Sequence, residues 1–155
     1  MSNVTVTVSG KVQAPTAVVY NILADYNQHR QILPPNYFTR LDIEEGGVGE
    51  GTRLTTAMNV MGNKQEFHLS VSEPQPGVLV ESDVNTGMKT TFTVKPAGAS
   101  ESEVSIQTTW QPQPGLSGML ERYTRPAFMR RIYQQELNIL DSYARQQNEK
   151  RQAEE

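Results

Sequence analysis

The sequence predicts an α+β fold: a curved antiparallel sheet wrapped around a long C-terminal helix, with two short helices after the first strand. Residues 3–13 alternate apolar and polar side chains, as a half-buried strand does. Further alternating segments joined by short turns follow between Phe38 and Trp110, and apolar residues from Pro126 to about Ala144 recur at helical spacing. A sheet with one apolar face needs a cover, and the C-terminal helix is long enough to provide it.

The first strand ends where the prolines begin. Pro15 is well placed for the first turn of a helix, which we expect to run to about Tyr26. A second short helical stretch should continue through Gln31 and end before Pro34, because the residue before a proline disfavours the helical conformation. These two helices precede the meander of strands.

Six sequential strands are expected after the short helices, since the apolar residues alternate within each segment and turn residues separate the segments. The glycine-rich segment at 46–52 is interpreted as a hairpin turn. It lacks the lysine and serine of a phosphate-binding loop, and a strand follows it instead of a helix. The predicted strands are 38–45, 54–60, 65–71, 78–84, 88–95 and 104–110.

The C-terminal helix carries a glutamate on its apolar face. Glu136 lies seven residues from both Met129 and Tyr143, on the face that should be buried. A buried carboxylate is costly without a partner or water. The helix therefore either hides a charge pair, for example with Arg53, or covers a cavity wet enough to hold the carboxyl group. The predicted apolar stripe is Met129, Ile132, Tyr133, Ile139, Leu140 and Tyr143.

Changes in the spacing of apolar residues predict where this helix begins and ends. Residues 116–124 look helical, but their apolar positions do not continue the later stripe, so we expect a kink or a new helix start at Pro126. Beyond Arg145 no apolar face remains. We therefore expect a single domain at residues 1–145 and a polar, frayed tail at 146–155.

Composition excludes several classes of function. The net charge is −3 and there is no cysteine. An acidic chain provides no global field for nucleic acid, so the cluster Arg122, Arg125, Arg130 and Arg131 is interpreted as a solvated face. No apolar run reaches the roughly 20 residues of a membrane helix, and the N-terminus does not resemble a signal peptide. We expect a cytoplasmic protein with no nucleic-acid partner and no stable membrane insertion.

Metal and cofactor chemistry is not indicated. His29 and His68 are the two histidines, and without cysteine they form no recognisable zinc pattern. No serine motif of a catalytic triad is present. We expect no cofactor, no metal and no residue that can be assigned as catalytic from the sequence.

The order of these segments resembles the START-like superfamily (SRPBCC), whose fold is called the helix-grip fold. The resemblance rests on VTVTVSGKVQAP, TAVVYNILADYNQHRQILPP, the GVGEGTRL hairpin and YQQELNILDSYARQ, and it covers residues 3–145. Within the superfamily the chain looks most like the polyketide cyclase/dehydrase and lipid-transport group. The resemblance implies a cavity between sheet and helix, with the glycine hairpin near its mouth as a mobile gate.

Function is predicted from what should face that cavity. Some strand positions that should face the cavity together with the apolar residues carry polar side chains: Thr56, Gln65, Thr90 and Thr108. A mixture of apolar and hydrogen-bonding side chains suits an amphipathic ligand. The alternative is ordinary strand threonines in a filled core. The expected ligand-binding residues are Met58, Phe67, Leu69, Thr90, Phe92, Thr108, Trp110, Met129, Tyr133 and Glu136.

We therefore expect a protein that binds a hydrophobic or amphipathic small molecule, lipid-like or polyketide-like. One alternative is a cyclase or dehydratase in which Glu136 works with Tyr133 or Tyr20. No second inward titratable group is apparent in the sequence, and this counts against catalysis. A second alternative is a protein-interaction module with a filled core. The chain could also form a weak homodimer.

Overall fold

The computed structural model contains one seven-stranded antiparallel sheet and three helices. It describes residues 3–60, 62–112 and 116–154, and the side chains of all of these except 116–124. The sheet order is β1-β7-β6-β5-β4-β3-β2, so every strand after β1 pairs with its neighbour in sequence. The strands are β1 Val4–Val12, β2 Phe38–Glu45, β3 Arg53–Val60, β4 Asn63–Gln75, β5 Val78–Asp83, β6 Lys89–Pro96 and β7 Ser102–Trp110.

Two short helices connect β1 to β2, and a long helix ends the chain. They are α1 Thr16–Ala24, α2 Tyr26–His29 and α3 Leu116–Ala153. Asp25 separates α1 from α2 in an extended conformation, and its carboxylate accepts a hydrogen bond from the backbone N–H of Asn27. The predicted α+β helix-grip architecture, with its curved antiparallel sheet, is confirmed.

Helix α3 packs along β1 and covers the apolar face of the sheet. Ile132, Tyr133, Leu137 and Leu140 are buried there. Leu137 was not part of the predicted stripe, while Met129 is only half-buried. The backbone N–H of Gln13 donates to the Asp141 carboxylate over 2.8 Å, which ties the end of β1 to the helix.

The ends of α3 differ from the prediction. One continuous helix runs from Leu116 through Pro126, so no new helix starts at the proline. Proline removes one N–H donor from the helix interior without necessarily ending it. The helix also continues beyond Arg145 to Ala153, where we expected fraying, although no residue past Ala144 is buried. Arginine, glutamine, glutamate and lysine are good helix formers, and an ion pair of 3.1 Å between Arg145 and Asp141 supports the last buried turn.

The glycine loop at 46–52 is hydrogen-bonded to other elements on both sides, and its mobility as a gate stays a prediction. Gly49 donates its N–H to the Ala24 carbonyl at the end of α1, and Gly51 donates to the Val71 carbonyl in β4. The backbone of Gly49 has a φ of +65°, which glycine adopts readily. The hairpin interpretation is correct, but the loop is hydrogen-bonded to α1 and β4, and none of its residues lines the main cavity.

Candidate functional site

A cavity of about 800 Å³ lies between the sheet and α3. Its walls come from α2, from strands β2 to β6 and from the part of α3 between Arg125 and Glu136. A cavity of this size is in the range of small-molecule sites. Among the predicted ligand-binding residues, those that line it are Met58, Phe67, Leu69, Thr90, Phe92, Met129, Tyr133 and Glu136.

Thr108 does not line the cavity, although its strand parity placed it there. It pairs with Thr90 across β6 and β7, and the two hydroxyls are 2.8 Å apart. The hydroxyl of Tyr133 is hydrogen-bonded to the Thr108 hydroxyl as well. Thr108 is therefore fully buried beneath Thr90 and Tyr133, and its role is to hold the tyrosine against the sheet.

Trp110 is also outside the cavity lining. It forms a small separate cluster with Val4 and Val6 of β1, and Met129 packs against that cluster. The Arg125 guanidinium lies over the indole ring, 4.8 Å from its centroid. The Trp110 ring thus packs beside Val4 and Val6 of the neighbouring strand β1 and under Arg125 of α3, which explains why this inward-facing residue does not reach the cavity.

The cavity residues that sequence reasoning missed include three titratable side chains from α2 and β5: Tyr26, His29 and Glu81. Glu81 could have been found from strand register, since it pairs with the inward-facing Thr90 just as Leu79 pairs with Phe92. The two α2 residues gave no such signal, because a single helical turn is too short to show periodicity.

Tyr26 and Glu81 form a hydrogen-bonded pair in the cavity wall. The Tyr26 hydroxyl donates to Oε2 of Glu81 over 2.7 Å. Burial, together with the negative charge of Glu81, raises the pKa of Tyr26 far above its ordinary value. Tyr26 is therefore a fixed hydrogen-bond donor, and it holds the Glu81 carboxylate in position.

Glu136 is buried without a described partner. It is 3% exposed, and its Oε2 makes no hydrogen bond to the residues that the structure describes. Burial, and secondly the charge of Glu81, raise the pKa of Glu136 well above its ordinary value. The predicted partner Arg53 is exposed and lines a smaller pocket of about 290 Å³ with His68 and Glu45, so it does not pair with Glu136.

His29 adds an imidazole ring to the same wall. Its Nδ1 lies 2.7 Å from the Leu23 carbonyl oxygen, which can only accept, so Nδ1 carries a proton. In the neutral ring Nε2 is then the acceptor. The imidazole stacks on Tyr26 with ring centroids 4.9 Å apart and meets Phe92 edge-on at 5.3 Å.

Tyr20, the other tyrosine considered for proton transfer, points elsewhere. Its hydroxyl donates to Oε2 of Glu73 over 2.6 Å, and it does not line the cavity. Burial and this partner raise its pKa. Among the described residues, no group of three or more histidine, aspartate or glutamate side chains could hold a metal ion. In the described part of the chain, no helix is long and apolar enough to cross a membrane.

A long helix gripped by a curved antiparallel sheet, with a cavity between them, defines the helix-grip fold. Residues 3–145 match the family described as polyketide cyclase / dehydrase and lipid transport. The chain belongs to this family. The predicted resemblance is thereby confirmed.

Several solved structures share this fold. The solution structure of KanY protein is 26% identical and covers 94% of this chain and 99% of its own, with a TM-score of 0.81. Zhui aromatase/cyclase from Streptomyces sp. R1128 is 17% identical, with coverages of 93% and 94% and a TM-score of 0.76. A START superfamily protein from Mycobacterium smegmatis is 15% identical, with coverages of 94% and 97% and a TM-score of 0.64. No curated protein matches the chain significantly.

Proposed function

We propose that this protein binds an apolar or amphipathic small molecule in the cavity between the sheet and α3. The observation that carries the proposal is a cavity of about 800 Å³ whose lining combines Leu69, Phe92 and Ile132 with hydrogen-bonding groups such as Thr90. Desolvation of the apolar body would supply most of the affinity, and the polar groups would orient the ligand.

An unfilled interior argues against a protein-interaction module with a filled core. The large hydrophobic residues exposed on the described surface are Val48 and Val84, which lie on separate loops. Single exposed valines are normal on a protein surface and do not form a docking patch.

Binding can be tested with the neutral fluorophore N-phenyl-1-naphthylamine, whose emission rises in apolar surroundings. Met58 lines the cavity, so Met58→Trp should fill part of it and weaken binding by about tenfold or more. Val84→Trp places the same ring on the surface, where Val84 is 54% exposed, and should leave binding unchanged. Equal binding by both variants would place the dye outside the cavity and contradict the proposal.

Native mass spectrometry of protein purified from its own host provides an independent test. A bound small molecule would appear as a mass added to the chain, and Met58→Trp should lose it while Val84→Trp keeps it. Such a mass retained in both variants would place the molecule elsewhere on the protein.

A cyclase or dehydratase is the second candidate, and one observation favours it. Glu81 and His29 supply the second inward titratable group that was missing from the sequence argument. Glu136, whose pKa is raised by burial, would act as the acid, and Glu81 or the Nε2 of His29 as the base. Glu136→Gln should then slow turnover of a polyketide substrate by roughly a hundredfold with similar affinity, whereas a pure binding protein shows no turnover at all.

A further inference from the structure

We propose that the ligand carries a cationic amine on its apolar body, and that the amine lies between the carboxyl groups of Glu81 and Glu136. This inference rests on the proposed binding function and specifies the chemical class of its ligand. It starts from the two acidic side chains that face one cavity from opposite walls, β5 and α3.

The first step is the unsatisfied carboxyl group of Glu136. Its Oε2 is buried and makes no hydrogen bond to the described residues, although the side chain lines a cavity with room for a ligand. A buried polar atom without a partner costs free energy, and a ligand donor placed beside it would recover that cost.

The second step is the charge balance around Glu136. The titratable groups that face it are Glu81 from β5, Tyr26 and His29 from α2, and Tyr133 on its own helix. Burial raises the pKa of Tyr133, and both tyrosines remain neutral donors. A neutral ligand would satisfy Glu136 in its protonated form but would leave the charge of Glu81 without a cation, whereas an ammonium group satisfies both carboxyl groups.

The third step is the position of the one arginine among the described lining residues. Arg125 precedes Glu136 by eleven residues, which is roughly 16 Å along the helix axis. Its guanidinium lies over the Trp110 ring and its Nη2 is 3.6 Å from Sδ of Met88. The arginine is thus engaged at the far end of the cavity wall and does not neutralise the acidic pair; the described lining residues include no lysine.

Aromatic rings around the acidic pair fit the same ligand class. Tyr26 and His29 are stacked with an interplanar angle of 6°, and Phe92 meets the histidine edge-on. The faces of tyrosine and phenylalanine rings attract a cation, and all three rings can pack against an apolar or aromatic body. An aryl-alkyl amine combines both features.

The proton balance follows from these contacts. Burial raises the pKa of Glu136 and so favours its protonated form in the free protein, whereas the incoming ligand is already an ammonium ion. Ionisation of Glu136 beside the ammonium releases a proton to the buffer, so binding of the amine is coupled to proton release. A neutral ligand of the same shape releases none.

A matched pair of probes tests the inference: 2-(2-naphthyl)ethylamine and 2-(2-naphthyl)ethanol, titrated calorimetrically into the full chain at pH 7. We expect the amine to bind at least about tenfold more tightly than the alcohol. Titrations in two buffers of different ionisation enthalpy should show proton release with the amine alone. Glu136→Gln and Glu81→Gln should each reduce the preference for the amine without weakening the alcohol.

Glu149→Gln provides the control, because it removes one negative charge from an exposed position of the same helix. The preference for the amine should survive in this variant, since it does not depend on the net charge of −3. Thermal melts verify that each variant is folded before the titrations are compared.

The outcomes separate the two proposals. Equal or tighter binding of the alcohol would overturn the amine inference and leave the binding function intact. An amine preference that persists in both Glu136→Gln and Glu81→Gln would also overturn it, because the preference would then arise elsewhere. If neither probe binds and the fluorophore fails as well, the binding function itself fails.

Discussion

The Tyr26 hydroxyl donates a 2.7 Å hydrogen bond to Glu81, so a residue with no exposed surface fixes the charge that faces Glu136. Neither residue belongs to the helix that covers the sheet. Tyr26 begins the single turn of α2, and Glu81 lies in the middle of β5. The acidic side of the cavity is therefore assembled from α2, β5 and α3, which are distant in sequence.

Tyr26→Phe should destabilise the protein by about 1.5–3 kcal/mol, the range for a hydrogen bond to a charged group. The ring remains to stack on His29, so the loss isolates the hydroxyl. Tyr143→Phe is the matched control, since the Tyr143 hydroxyl makes no hydrogen bond to the described residues and should change stability by less than about 0.5 kcal/mol. Urea unfolding measures the free energy of unfolding of both variants. Similar losses of stability in the two would contradict the hydrogen bond assigned between Tyr26 and Glu81.

The raised pKa of Glu136 predicts a specific dependence of stability on pH. Above its ordinary value of 4.5 the unfolded chain gives up the proton while the folded protein still holds it. The contribution of Glu136 to the free energy of unfolding is therefore fully present below pH 4.5. It decreases as pH rises, by at most about 1.4 kcal/mol per pH unit, until pH passes the folded pKa.

Glu136→Gln should remove this component, because glutamine cannot titrate. The difference in unfolding free energy between the original protein and the variant should fall as the pH rises above 4.5, measured by urea unfolding at half-unit intervals. Glu149→Gln serves as the exposed control and should leave the profile parallel to that of the original protein. A difference independent of pH would show that Glu136 is ionised in the folded state.

Much of the fold could be predicted because its signals are local. Alternation of apolar residues located the strands within a few residues, and short turns dictated sequential pairing, as the order β7-β6-β5-β4-β3-β2 shows. The helix ends were less predictable. Pro126 does not end α3, and the polar residues after Arg145 remain helical through their intrinsic propensity.

The cavity lining could be predicted where it depends only on which side chains of a strand point to the same face. The alternation of side chains predicted that Thr90 and Phe92 face the cavity, and both line it. It also predicted Thr108 and Trp110, which are packed against other residues and do not line the cavity. Coverage depends on how β1 and α3 pack, and alternation within one strand carries no information about that. His29 was missed for the same reason, since its position depends on where one helical turn is placed over the sheet.

Thr108→Val tests whether the buried hydroxyls hold Tyr133 in place. The change removes a group bonded to both Thr90 and Tyr133 and leaves their hydroxyls short of a partner, so stability should fall by about 1–3 kcal/mol. Thr109→Val is the control on the opposite face, where the threonine bonds Thr5 near solvent at 3.2 Å, and it should have little effect. Equal effects in urea unfolding would mean that the buried hydroxyls contribute no more than exposed ones.

The glycine loop offers the last prediction, through a pair of glycines that share a left-handed backbone but differ in their surroundings. Gly49 has a φ of +65°, and a Cβ there would clash with Oε1 of Glu73. That carboxylate is held by the Glu50 N–H at 2.7 Å and by the Tyr20 hydroxyl at 2.6 Å, so it cannot move away without breaking both bonds. Gly51 has a φ of +90° with nothing within 4 Å of the same position.

Both alanine variants introduce backbone strain, since an L residue rarely adopts a positive φ. Gly49→Ala should in addition displace the Glu73 carboxylate and lose its hydrogen bonds, which adds about 1–3 kcal/mol to the loss seen in Gly51→Ala. Urea unfolding gives the two losses, and Gly49→Ala combined with Glu73→Ala removes the clash. If the loop is fixed as described, the extra loss from Gly49→Ala should largely disappear when it is measured in the Glu73→Ala background. Equal losses for the two glycines would instead show that the loop moves freely enough to accept a side chain, as a mobile gate would.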